Sequence, residues 1–290
     1  MSKPQTVSPI RRILLALDAS PESLEALRAA AELAAKMEAE LHGLFVEDSK
    51  LLELAGAPFA REILYATAEE APLERAGMER KLKARAEEAR AALERAARDA
   101  SVEWSFRSVR GHLLNELLAV AEEMDLLALG RRGWSLYAPA RAGRASLAAL
   151  TRARPALLLS ERGTLFRRPV LAGYDGSGAG RHGVDVGAGL AAAGSRCLVV
   201  LLLTEEPEQA ETWKHELRAA LAPRHLQLRF RRIAPGDSAA LLRAIKTEHA
   251  GCLVMADEGS LLHPDVIERL LREVDVSLIF LGGPARGESE

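Results

Sequence analysis

Cysteine is nearly missing from this chain. Only Cys197 and Cys252 occur in 290 residues, inside the apolar runs CLVVLLL and CLVMA. Their spacing suits no metal, and they build no disulfide framework; they read as small buried hydrophobes. A reducing, cytoplasmic setting is the expectation. No apolar run reaches the length of a membrane span, and MSKPQTVSPIRR at the start holds no signal-peptide core. Net charge is lacking too: at −2, nothing global attracts nucleic acid, so any basic site must be local. The histidines are scattered, with no pair at metal spacing on a predicted helix. His112, in RGHLLNELL, reads as a polar surface residue near a helix start. No base, nucleophile and metal cluster gather to name an enzyme. What is present is a globular balance, 48% hydrophobic and 28% charged, in a chain long enough for two ordinary domains.

The chain repeats itself. RRILLALDAS (11–20) resembles RPVLAGYDGS (168–177), which sets Asp18 against Asp175 and Ser20 against Ser177. The same offset lays LHGLFV (41–46) on LVVLLL (198–203), and LLALGRRG (126–133) matches CLVMADEG (252–259) after a one-residue insertion. Two tandem units follow: residues 1–160 and 161–290, with ERGTLFRRP (161–169) as the joint.

Each unit alternates strand and helix. ILLALD is a buried strand, and PESLEALRAAAELAAKME is a helix capped by Ser20 with Pro21 at its first position. LHGLFVE is the second strand. Residues 48–72 read as a loose insertion. A long helix is expected over 73–99, its Glu79–Lys83 and Glu94–Arg98 pairs marking a solvated face. VEWSFRSVR, LLNELLAVAEEM, LLALG and PALLLS continue as strand, helix, strand and strand. The second unit repeats this with a shorter helix near 207–221. Strands this apolar are covered on both faces. The expected fold is α/β: two tandem doubly wound, mostly parallel five-stranded sheets flanked by helices. Ligands of such sheets bind at the carboxyl ends of the strands, where the order reverses.

The most chemical stretch is GRRGWSLYAPARAGRAS (130–146), with three glycines, four arginines and no acid. Glycines let backbone approach an anion closely, the start of a following helix attracts negative charge, and arginine forks match phosphate oxygens. Neither GK[ST] nor GxGxxG is present. Trp134 either lids a base or packs on the protein.

Gly130-x2-Gly133-x9-Gly143, downstream of a strand ending in Asp18, resembles the ATP-binding signature of the universal stress protein family. The likeness extends over the chain as a tandem pair. It implies a Rossmann-like fold of the adenine nucleotide alpha hydrolase kind, and a site for ATP or another adenine nucleotide, with or without Mg²⁺. Carried over, that site is Asp18, Val46, Gly130, Arg131, Gly133, Gly143, Arg144, Ala145 and Ser146, with Val46 acting through its backbone. One departure stands out: Arg144 occupies a position where the family has Ser or Thr, and it either replaces that donor or fills the pocket.

The second unit departs further. Its loop is shortened, keeps one glycine of the three, and sets six acids over 256–275 against Arg269 and Arg272. Acids there repel phosphate, so no nucleotide is expected beside Asp175. Three functions compete: a nucleotide-responsive stress protein with a structural second unit; a nucleotide-free scaffold acting through an unknown protein partner; and an enzyme, at most a slow ATPase. The family's dimer habit implies an internal pseudo-dimer or a homodimer, with neither nucleic acid nor membrane as partner.

Overall fold

The computed structural model describes residues 10–64, 69–130, 156–159, 166–257, 264–274 and 276–282. The first run of elements is β1 (Arg12–Ala16), α1 (Pro21–Met37), β2 (Glu40–Asp48), α2 (Ser49–Ala55), β3 (Arg61–Leu64), β4 (Glu69–Pro72), α3 (Arg75–Ala100), β5 (Trp104–Gly111), α4 (Leu113–Ala121), β6 (Leu126–Gly130) and β7 (Ala156–Leu159). The second is β8 (Val170–Tyr174), α5 (Gly178–Ala192), β9 (Cys197–Leu203), α6 (Pro207–Leu221), β10 (Gln227–Ile233), α7 (Ser238–Thr247), β11 (Cys252–Asp257), α8 (Pro264–Glu273) and β12 (Ser277–Gly282).

Ten strands form one sheet in the order β10-β9-β8-β11-β12-β7-β6-β1-β2-β5. Each half is a parallel set of five, as the repeat implies. The halves meet where β12 runs antiparallel to β7, with Leu278 opposite Leu158 and Phe280 opposite Ala156. In the first half, β1 lies between β2 and β6. The chain moves outward from β1 to β5 and then returns to β6, so the order reverses at β1.

Strand residues alternate between two cores. Ile13, Leu15, Leu41, Phe45 and Ala128 belong to the face that α1 and α3 cover; Leu14, Ala16, Leu44, Leu127 and Leu129 pack on the opposite face with Leu117 of α4. Period-two alternation with both sides buried explains the unbroken apolar runs. Cys197 and Cys252 are buried free thiols. Gly43 lets α3 approach: a Cβ there would meet the Leu93 side chain.

Two sequence expectations change. The described part of residues 48–72 is not a loose insertion. Asp48 caps α2, its Oδ1 accepting from Lys50 N at 3.0 Å, Leu52 and Ala55 are buried, and β3 pairs antiparallel with β4. Glu94 pairs with Arg98 at 2.7 Å as expected, but Glu79 faces Arg75 at 3.6 Å and Arg110 at 3.4 Å. Arg110 also holds Glu47 at 2.7 Å, which ties the start of α3 to the ends of β2 and β5.

The outer edge of the second half is held by one carboxylate. Glu248, after α7, has a side chain 3% exposed, and it accepts from Arg229 and Arg231 of β10, each at 2.9 Å. Burial works to raise its pKa, and the hydrogen bonds from Arg231 and Arg229 outweigh that, so it lies below the usual carboxylate range. A depressed folded pKa gives stability that is complete above the unfolded value, about 4.3, and is lost as pH falls through the folded one. Both arginines are half exposed, so screening trims the gain. Glu248→Gln is expected to lower unfolding free energy by about 1 kcal/mol at neutral pH, and to flatten the acid side of the stability profile in urea titrations.

Candidate functional site

The turn after β1 is built around a carboxylate. Asp18 Oδ1 accepts from Ser20 N at 2.9 Å and from Ser20 Oγ at 2.6 Å. Ser20 Oγ in turn accepts from Ser23 N at 3.1 Å, which caps α1. The chain passes between them through Ala19 at φ 57°. The second copy reproduces each part. Asp175 Oδ1 accepts from Ser177 N at 3.0 Å and Ser177 Oγ at 2.6 Å, Ser177 Oγ accepts from Gly180 N at 2.9 Å, and Gly176 takes φ 85°. The Asp-x-Ser match in the sequence is thus one locked strand-to-helix turn, made twice.

Beyond this lock the copies diverge. A crevice of roughly 710 Å³, counting the space at its mouth, opens beside Asp18 at the carboxyl ends of β1 and β2. Val46 lines it, with Phe45 and Leu44 at its base. Met78, Lys81, Leu82 and Arg85 of α3 form one wall, and Leu113 and Leu117 of α4 another. Two polar atoms on these walls are buried with no hydrogen-bond partner: Asp18 Oδ2 and Arg85 Nη1. They do not satisfy each other. A buried polar group left so costs about 1–3 kcal/mol, more when charged. In the second copy, Trp213 of α6 stands edge-on to Tyr174, ring centroids 5.1 Å apart at 71°. Trp213 also lies directly over Gly176, where a Cβ would strike its ring.

Of the residues expected from sequence, Asp18 and Val46 meet in this crevice. Gly130 is buried at the end of β6, on the other side of β1, and does not line it. Arg131, Gly133, Gly143, Arg144, Ala145 and Ser146, like Trp134 and the helix expected after the loop, lie outside the described residues. His112 is exposed before α4, as expected. Sequence reasoning missed Arg85. Its signal was the α3 stripe: Met78, Leu82 and Ala89 are buried, and Arg85 falls among them at helical spacing. It missed Trp213 as well, which has no counterpart to match. Among the described residues no group of three or more His, Cys, Asp or Glu is placed to hold a metal ion, and no helix is long and apolar enough to cross a membrane.

Two doubly wound α/β units joined edge to edge, one with a crevice beside Asp18 at its switch point, define the class. Residues 9–158 match the universal stress protein family. The whole architecture is similar to a crystal structure of a universal stress protein from Archaeoglobus fulgidus, at 16% identity and TM-score 0.70, over 94% of this chain and 97% of that one. It is also similar to a protein of unknown function from Pseudomonas aeruginosa, at 16% identity and TM-score 0.57, over 94% and 92%. A universal stress protein in complex with cAMP matches 53% of this chain and 99% of its own, at 19% identity and TM-score 0.34. No curated protein matches the sequence. The chain belongs to the universal stress protein family.

The paired turns carry their own test. Ala19 holds a left-handed conformation that costs a residue with a Cβ about 1–2 kcal/mol, and its counterpart is glycine. Ala19→Gly is expected to raise stability by about 0.5 kcal/mol after the glycine entropy cost. Ser20→Ala is expected to lower it by about 1 kcal/mol through loss of the cap. Urea unfolding of both variants measures these shifts.

Proposed function

We propose that the first copy binds an adenine nucleotide, ATP, ADP or AMP, and that the second copy is its structural partner. The observation that carries this is the unpartnered, buried Asp18 Oδ2 in an open crevice, against a second copy whose matching turn is covered by Trp213. Asp18 Oδ1 holds the turn, so Oδ2 is left to accept from a ligand hydroxyl such as those of a ribose. Val46 offers backbone beside it. The arginine- and glycine-rich stretch after β6 supplies the phosphate contacts that the family resemblance implies, through Gly130, Arg131, Gly133, Gly143, Arg144, Ala145 and Ser146. Magnesium arriving with a triphosphate takes most of its oxygens from phosphate and water, so one carboxylate suits it on the protein side. In this reading, nucleotide occupancy tunes the interactions of a cytoplasmic stress protein, and the β7–β12 pair takes the place of a dimer contact between chains.

Thermal melts with ATP, ADP and AMP test the proposal. A ligand at a hundredfold excess over its Kd stabilises the fold by about 2.7 kcal/mol. Asp18→Asn keeps an acceptor for Ser20 and turns the free oxygen into a donor. It is expected to abolish the nucleotide shift, while Asp175→Asn leaves it intact. Flat melts at millimolar nucleotide, or equal losses in both variants, would contradict the reading.

A further inference from the structure

Arg85 is the feature that the nucleotide reading leaves unused. It sits on the buried stripe of α3, between Leu82 and Ala89, where helix packing calls for an apolar residue. A guanidinium carries five N–H donors and no acceptor, so each buried N–H needs an acceptor from outside the group. Its Nη1 is nonetheless buried without a partner, on the wall of the crevice that holds Asp18. Lys81 on the same wall adds charge of the same sign and no acceptor. Of the acids that line the crevice, Asp48 directs Oδ1 to Lys50 N, and Asp18 leaves its own Oδ2 unmatched. Among the described residues no acceptor meets Arg85 Nη1, and a ligand in the crevice can bring one.

The sheet order says which part of a ligand that is. Gly130 ends β6 on one side of β1; β2, with α3 packed on it, lies on the other. A nucleotide whose phosphates lie toward Gly130 and whose ribose meets Asp18 extends its base toward β2 and α3. The surroundings there are Phe45, Met78 and Leu82, an apolar bed suited to a flat ring. A guanidinium only donates, so it recognises an acceptor on the ring edge.

We infer that Arg85 is a base-recognising residue of this crevice, donating from its guanidinium to a ring-nitrogen acceptor of a purine nucleotide. The inference rests on the nucleotide reading of the same site. Arg85 itself is partly exposed, and its Nη1 is the buried donor without a partner; a bound base gives that donor an acceptor.

Isothermal titration with ATP and with its 1-deaza, 3-deaza and 7-deaza analogues, on wild type, Arg85→Met and Arg85→Lys, tests it. Arg85→Met is expected to weaken ATP binding about tenfold, the size of one charge-assisted hydrogen bond. One deaza analogue is expected to show the same loss on wild type and no further loss on Arg85→Met, and Arg85→Lys to fall between. Without nucleotide, Arg85→Met is expected to melt at or above the wild-type temperature, since it removes a buried donor with no acceptor. ATP affinity unchanged in both variants overturns the inference alone. Losses from Arg85→Met that add in full to those of every deaza analogue overturn it too. Failure of ATP to bind wild type overturns the nucleotide reading with it.

Discussion

Asp18 uses one carboxylate oxygen to hold the turn between β1 and α1 and buries the other with nothing to hold. That division governs the site. The bonded oxygen fixes the side chain, so the free one points into the crevice without freedom to seek a partner elsewhere. A fold tolerates such a group when the stability it forgoes is returned by a ligand. Arg85 presents the complementary case from the facing helix, a donor where Asp18 is an acceptor. An apolar bed between an unmatched acceptor and an unmatched donor has the polarity of a nucleoside: hydroxyls at one end of a flat ring, ring nitrogens at the other.

The second copy shows what the same turn becomes without that demand. Its Asp-x-Ser lock is kept to within about a tenth of an ångström in each lock bond because it starts α5, a structural task. The space beside it is filled by the chain itself, with Trp213 laid over Gly176 and against Tyr174. Two matching turns, one beside an open crevice and one covered by Trp213, separate the structural role of the aspartate from any role in binding. The two units also share one sheet through β7 and β12, so the covered copy supports the open one directly.

Much of this was legible in the sequence. The β1 and β2 runs, the Ser20 cap, the Asp18–Asp175 match and the five-strand count per unit follow from local periodicity and repetition. What was not legible depended on contacts far apart in the chain. The β12–β7 pair joins residues more than a hundred positions apart and leaves no local mark. The order in residues 48–72 rests on Leu52 and Ala55 finding buried places, which their neighbours do not announce. Arg85 hid among the many charges of α3, most of them on a solvated face. Only its place on the buried stripe set it apart, and that needed the stripe's register. For the site, the strand ends alone put Asp18, Val46 and Gly130 in one crevice; Asp18 and Val46 do line it, whereas Gly130, across β1, does not.

The most direct measurement of the account is a crystal structure of the full chain grown with ATP. The account predicts one nucleotide, in the first copy, with its ribose on Asp18 Oδ2 and its base beside Arg85, and with Trp213 still lying over Gly176. A structure in which Arg85 has closed onto Asp18 and excluded the nucleotide, or in which the nucleotide sits beside Asp175, would contradict it.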